Sequence, residues 1–198
     1  MSRSAGGIIR ANSAASTFYH FDYADRLVQV DELDPVGAPV PVAAYSYDAL
    51  GRRIGKTVFA AGGLPAVTNA YVYDDTRDDD CDGLADDVLE VYRNDALSRV
   101  SVRVGGAAAA SYAATGLILS PPVVLVNGAG EAFYTHCDDL GNVLALTDAG
   151  GNVVEHYDYD DFGAPRFFDA SGTPQAGSAV GNDLLFRGLR WDAETGLY

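Results

Sequence analysis

Eight carboxylates stand within the 14 residues Asp74-Asp75-Thr76-Arg77-Asp78-Asp79-Asp80-Cys81-Asp82-Gly83-Leu84-Ala85-Asp86-Asp87, the part of the chain best equipped for chemistry. Asp78, Asp80, Asp82, Gly83 and Asp86 fall at positions 1, 3, 5, 6 and 9 of a Ca2+ loop, where alternate carboxylates wrap a hard cation and glycine makes the sharp turn. Position 12 is Leu89, so Asp87 or Glu90 would have to complete the coordination. A solvated acidic hairpin tip explains the same residues, because Asp80–Gly83 also has ordinary turn spacing. A thermal melt separates the two. If Asp78, Asp80, Asp82 and Asp86 hold Ca2+, the ion stabilises the fold over chelator by about 2.7 kcal/mol at a hundredfold excess over Kd. Asp80→Asn/Asp82→Asn then abolishes the rise in melting temperature, whereas an unmoved wild-type melt leaves only a solvated turn.

The other reactive side chains are sparse. His20, His136 and His156 sit beside aromatic residues and just before turns, and no Gly-x-Ser-x-Gly or His-x-x-x-His accompanies them. Their expected role is packing or a hydrogen bond along a sheet. Cys137 follows His136, but neighbouring strand residues point to opposite faces, so the two do not form a thiol–base pair. Cys81 and Cys137 are too few for a disulfide framework and lack Cys-x-x-Cys spacing. Paired carboxylates for glycoside hydrolysis are available in number, yet almost all of the remaining aspartates are explained as turn formers.

Those turns recur. The spacing Asp-x-x-Gly appears at Asp48–Gly51, Asp138–Gly141 and Asp160–Gly163, and again at Asp34–Gly37, Asp148–Gly151 and Asp169–Gly172. It suits a type I turn, with Asp first and Gly fourth. Aromatic pairs two residues apart precede several of these positions: Tyr45 and Tyr47, Tyr71 and Tyr73, Tyr157 and Tyr159. On a strand both rings of a pair leave the same face, and the pairs are expected to stack across neighbouring strands. A degenerate copy, Tyr19-His20-Phe21-Asp22, opens the series.

Taken in order, residues 1–17 are small and polar and predict a flexible lead-in. Residues 18–130 carry β-hairpins interrupted by the acidic loop 74–87. Val88 to Tyr92 fits a helical face as well as a strand, with its β-branched and aromatic content favouring the strand. Ser98 to Val104 alternates cleanly, and Asn127-Gly128 signals a hairpin. From 131 to 198 turns follow one another at about 10 to 12 residues, the rhythm of a β-meander. Residues 164–181 are expected to form a link, and the chain to end within a strand. The fold expected is all-β: an antiparallel hairpin meander in one curved sheet with almost no helix.

Composition agrees with a sheet. The 198 residues include 22 glycines, 12 tyrosines and one methionine, and 48% are hydrophobic, enough for a buried core. Thirteen basic against 28 acidic residues give a net charge of −15, which opposes binding to nucleic acid or anionic lipid. No apolar run approaches the about 18 residues of a membrane helix, and the N-terminus lacks a signal-peptide core, so no membrane insertion and no secretion signal are expected of this stretch.

With these residues in view, the chain resembles the Rhs/YD-repeat family, and its last third is similar to that family's repeat-associated core. The units Tyr45–Gly51 and Tyr157–Gly163 match the repeat. The run His136-Cys137-Asp138-Asp139-Leu140-Gly141-Asn142-Val143, then Phe186-Arg187-Gly188 with Trp191-Asp192-Ala193-Glu194-Thr195-Gly196-Leu197-Tyr198, matches the core. The resemblance implies a strip of a β-shell of the kind found in toxin-complex cocoons and polymorphic toxins, in a secreted or cell-surface protein. It stops at Tyr198, before the family's self-cleavage segment, so autoproteolysis is not carried over. The function expected on this basis is a structural scaffold or encapsulating shell, not an enzyme. A carbohydrate- or cell-surface-binding module ranks second, and a glycoside hydrolase-like enzyme third. The partners expected are the remainder of such a shell, or a second copy recruited through open strand edges.

Overall fold

The computed structural model describes residues 3–4, 7–11, 17–61, 63–73, 88–102 and 123–198, the first two stretches by backbone alone. The acidic loop 74–87, with Asp78, Asp80, Asp82 and Asp86, lies outside the described residues. The described residues form strands, with one 3-10 turn at Phe186–Gly188. The strands are β1 (Arg3–Ser4), β2 (Gly7–Ala11), β3 (Thr17–Phe21), β4 (Leu27–Leu33), β5 (Pro39–Tyr47), β6 (Arg53–Phe59), β7 (Pro65–Tyr73), β8 (Val88–Arg93), β9 (Ala96–Val102), β10 (Val124–Asn127), β11 (Ala132–Cys137), β12 (Val143–Thr147), β13 (Val153–Tyr159), β14 (Pro165–Asp169) and β15 (Pro174–Gln175). Their order in the open sheet is their order in the chain, and neighbours such as β3 and β4 or β12 and β13 pair antiparallel, as the meander pattern predicts.

The chain divides into two compact units, residues 1–71 with 92–96 and residues 72–91 with 97–198. In the first, Val30 pairs with Ala43 across β4 and β5, and both pack with Tyr45 in a small core that Tyr19, Leu27 and Tyr47 extend. In the second, Leu125, Phe133, Val143, Leu146, Tyr157 and Leu185 form the core. Removing a side chain such as Leu146 or Leu185 from water contributes roughly 2 kcal/mol each.

The hairpin turn is more specific than a plain type I turn. The N–H of Gly51 donates to the Asp48 carbonyl at 3.1 Å, and the Asp48 N–H to the Arg52 carbonyl at 3.0 Å. Gly51 stands at φ +90°, so a type I turn runs into a left-handed residue that makes a bulge, and the register slips beside it between Ser46 and Tyr47. Gly141 and Gly163 take the same left-handed position, at φ +81° and +88°; the register slips beside Gly141, between His136 and Cys137, and runs unbroken beside Gly163. Glycine is there because a Cβ is unfavourable at that φ. One Asp oxygen, Oδ1, accepts from the N–H groups two and four residues on, as Asp48 does from Leu50 and Arg52 at 2.9 Å each. Asp138 and Asp160 repeat this, as do Asp22, Asp34, Asp148 and Asp169.

Several expectations change. The predicted lead-in contains β2, which pairs with β3 from Ile8↔Phe21 to Ala11↔Phe18. The segment at 88–92, where composition favoured strand over helix, is strand as expected. Asn127-Gly128 marks a hairpin but not its type: Asn127 replaces Asp in the same loop, and Gly130, at φ +84°, takes the left-handed position. The link 164–181 holds the hairpin β14–β15, closed by the Asp169 turn. Residues 184–198 are not a terminal strand. Arg187, Gly188 and Gly196 have φ of +54°, +71° and +66°, so the segment folds back on itself through the isolated bridges Leu184↔Arg190 and Asp192↔Leu197.

Candidate functional site

The second unit carries the densest polar construction, a clamp that holds residues 178–198 against the sheet. Alternation along β13 puts Glu155 and Tyr157 on one face, both buried, with Glu155 only 4% exposed. The Glu155 carboxylate accepts from the Tyr157 hydroxyl, the Ser178 hydroxyl and the Ala179 N–H, the last at 3.0 Å. Asn182 ties the network together: its Nδ2 donates to the Tyr157 oxygen at 3.2 Å, its N–H donates to Ser178 Oγ at 2.8 Å, and its Oδ1 accepts from the Leu184 N–H at 3.1 Å. Burial, reinforced by the neighbouring Glu155 charge, raises the Tyr157 hydroxyl above its ordinary range, so it remains a proton donor. A buried carboxylate that accepts from three donors is fixed in place by them.

A second anchor is ionic. Arg99, 5% exposed on β9, reaches Asp183 with Nη1 at 2.6 Å and the Gly181 carbonyl at 3.1 Å, while Arg190 Nε lies 3.4 Å from the other Asp183 oxygen. Between the anchors Leu185 drops into the core fully buried, and its carbonyl accepts from the Val143 N–H at 3.2 Å. The segment finishes in an aromatic cap. Phe186 meets Tyr159 at 5.7 Å and Tyr198 at 6.1 Å, Trp191 meets Tyr198 at 4.9 Å, and the Tyr198 hydroxyl donates to the Gly163 carbonyl at 2.8 Å. Phe186, Arg187, Gly188, Trp191 and Tyr198, the residues quoted for the core resemblance, therefore form the fold-back and its cap.

The predicted aromatic pairs are placed as follows. Tyr45, Tyr71 and Tyr157 are buried, and Tyr47, Tyr73 and Tyr159 are half-buried. The second tyrosine has a distinct contact that spacing did not reveal: the Tyr47 hydroxyl donates to the Leu27 carbonyl at 2.7 Å, and the Tyr159 hydroxyl to the Val143 carbonyl at 2.6 Å. Each acceptor is the first residue of the preceding strand, so one hydroxyl locks a hairpin to its neighbour in both units. The fifth residue of the turn was also missed. Arg26 and Arg52 pair with Asp22 and Asp48 at 2.7 Å, and Asn142 and Asn152 donate to the second oxygen of Asp138 and Asp148. An Arg or Asn four residues after the Asp is the sequence signal. Arg26 also lies 5.0 Å over the Tyr47 ring and donates to the Asp48 carbonyl at 3.3 Å, joining two turns.

The titratable candidates are engaged structurally. His20 Nε2 sits 2.6 Å from Asp31, which Gln29 also contacts at 2.6 Å; His136 meets the Thr147 hydroxyl at 2.9 Å; His156 stacks on Phe168 at 5.2 Å. The Cys137 thiol is pushed up to about 11 by desolvation, only partly offset by a hydrogen bond with Thr135, so it is protonated at neutral pH. Among the described residues no cluster of three or more His, Cys, Asp or Glu could hold a metal ion.

Turn carboxylates are shifted the other way. The Ser171 hydroxyl and then the Thr173 N–H hold Asp169 at about 2, against an ordinary 3.8. Asp148 is lowered by the Asn152 side chain, and Asp160 by the Ala164 N–H. A folded value below the unfolded one contributes stability above about pH 4, which is lost as pH falls through the folded value near 2. The melting temperature is expected to fall between about pH 4 and pH 2, and Asp148→Asn/Asp169→Asn to flatten that fall. A variant profile that superposes on the wild type would show that the turn carboxylates do not set acid stability.

No family model matches the chain. Among characterised proteins it is 30% identical to the tRNA3(Ser)-specific nuclease WapA of Bacillus spizizenii over 180 residues, 91% of this chain and 6% of that protein. It is 30% identical, with the same coverage, to the tRNA nuclease WapA of Bacillus subtilis. Double-stranded DNA deaminase toxin A of Burkholderia cenocepacia is 29% identical over 190 residues, 91% of this chain and 12% of that protein. The fold matches part of the crystal structure of TcdB2-TccC3 with a TM-score of 0.54 at 17% identity, over 90% of this chain and 8% of that one. These likenesses support an Rhs-like, toxin-associated protein. They also overturn the expectation of a non-enzymatic protein, because the relatives are named nucleases and a DNA deaminase. That expectation rested on turn-forming aspartates and packed histidines in a stretch that spans about 6% of the WapA proteins' length.

Proposed function

We propose that these residues are a section of the β-shell of a secreted or surface-exposed Rhs-type toxin, and that the protein built around this section acts enzymatically on nucleic acid. The observation that carries the reading is the clamp. Glu155, Tyr157, Ser178, Asn182, Arg99 and Asp183 hold a fold-back segment against one sheet face, so that the face is finished by local chain. A meander with self-locking turns can be extended hairpin by hairpin, the property a shell wall needs. The similarity to WapA nucleases and to a deaminase toxin supports the class of activity, and the TcdB2-TccC3 likeness supports a role in assembly with other toxin parts.

The test uses the full-length protein. Limited proteolysis is expected to leave a protected fragment from outside this section, and tRNA or double-stranded DNA to be modified once the shell is opened with mild denaturant. Glu155→Ala is expected to expose that fragment without denaturant. Equal cleavage of the fragment in intact and opened protein, with no action on either nucleic acid, would overturn the reading.

A further inference from the structure

The turn between β10 and β11 differs from its neighbours in a way that neither the clamp nor the meander explains. Asn127 stands where Asp138 and Asp48 stand in their turns, and Glu131 stands where Asn142 and Arg52 donate to those carboxylates, so donor and acceptor are exchanged. Gly128 follows, which makes the one Asn-Gly pair of the chain. Packing requires that glycine, because a Cβ on it would stand 2.3 Å from the Leu97 carbonyl oxygen. The same lack of a side chain leaves the Gly128 nitrogen unshielded beside the Asn127 amide.

Such a pair has a reaction available to it without any enzyme, and asparagine is thermolabile for this reason. The Gly128 nitrogen attacks Asn127 Cγ. The N–Cγ bond forms and closes a five-membered succinimide, the Cγ–Nδ2 bond breaks, and Nδ2 leaves as ammonia with the proton that the Gly128 nitrogen gives up. Water then opens the ring, at Cγ to give aspartate or at the main-chain carbonyl to give isoaspartate, with no oxidant or reductant involved. The turn both prepares and restrains this step. Asn127 Oδ1 accepts from the N–H groups of Ala129 at 3.0 Å and Glu131 at 2.9 Å, the donors that a developing negative charge on that oxygen needs. Against this, the Gly128 N–H is committed to the Ser98 carbonyl of β9 at 3.0 Å, and Nδ2 is held by Glu131 Oε2 at 2.7 Å. Attacking nitrogen and leaving group are therefore both tied while β9 lies against the turn. Residues 128–131 are exposed, so water for ring opening reaches them.

We propose that Asn127 is a deamidation site gated by the sheet: the Gly128–Ser98 and Asn127–Glu131 hydrogen bonds keep it unmodified, and separation of β9 from the turn releases it. The product sets a carboxylate against that of Glu131 where Nδ2 was a donor, so a modified chain does not remake the gate and carries a lasting record of the opening. The chain is kept in mildly alkaline buffer, folded or in urea, and the peptide containing Asn127 is followed by its gain in mass. Asn142 and Asn152, each followed by valine, serve as internal references. The folded chain is expected to react about tenfold more slowly than the chain in urea, the scale of two hydrogen bonds. Glu131→Ala is expected to raise the folded rate about threefold, the scale of one, at an unchanged melting temperature. The proposal is overturned by any of three results: equal rates for Asn127 in folded and unfolded chain, Glu131→Ala reacting no faster than the wild type, or Asn127 reacting no faster than Asn142 in urea.

Discussion

Glu155→Ala is expected to destabilise the second unit by about 4 kcal/mol, a fall of roughly 10 °C in its melting transition. The substitution strands three donors at once, the Tyr157 and Ser178 hydroxyls and the Ala179 N–H, in a place closed to solvent. Each buried donor without an acceptor costs about 1–3 kcal/mol, and partial entry of water keeps the sum below the simple total. Because Ser178 and Ala179 begin the fold-back segment, the loss is also expected to release residues 178–198. Trp191 emission should shift to the red before the sheet melts. Glu131→Ala serves as the comparison, since among the described residues that carboxylate accepts one solvent-exposed hydrogen bond, from the Asn127 side chain; a change within about 0.5 kcal/mol is expected there. Equal melts for the two variants would show that the clamp does not hold the segment.

Gly163→Ala is expected to cost about 3 kcal/mol, and Gly172→Ala only about 1 kcal/mol, although both glycines close the same kind of turn. Their backbones are nearly identical, at φ +88° and +86°, so the left-handed penalty is shared. What differs is the surroundings. A Cβ on Gly163 would stand 2.9 Å from Phe186 Cδ1 and 3.0 Å from Cγ, whereas nothing lies within 4 Å of one on Gly172. Phe186 cannot retreat freely, because Tyr159 and Tyr198 pack on it and the Tyr198 hydroxyl is fastened to the Gly163 carbonyl. The difference between the two variants measures the docking of the aromatic cap in isolation from turn strain. Equal costs would mean that the cap yields, and that the turn alone sets the price of a side chain.

Both predictions concern residues that sequence reading valued differently. Gly163 was legible as a turn glycine from its spacing to Asp160, yet nothing in that spacing told it apart from Gly172. Glu155 drew no notice, because an isolated glutamate in a strand reads as a solvated side chain until its neighbours are known. Trp191 and Phe186 were legible as part of a family-like signature. Their work, closing a fold-back over the sheet, was hidden by an apolar run that suggested a strand.

Local chemistry sufficed for the hairpins. An Asp that accepts its own backbone N–H groups, a Gly that tolerates φ near +85°, and alternating aromatics are interactions within a few residues, so their spacing determined turns, strands and the meander before any long-range contact was considered. The tertiary structure alone decided which face is finished and how. The clamp joins Glu155 to Ser178 and Arg99 to Asp183 across 23 and 84 positions, and such pairings depend on how the sheet and the returning segment meet. Contacts made between residues far apart in the chain leave no periodicity, and periodicity is what a single sequence can display.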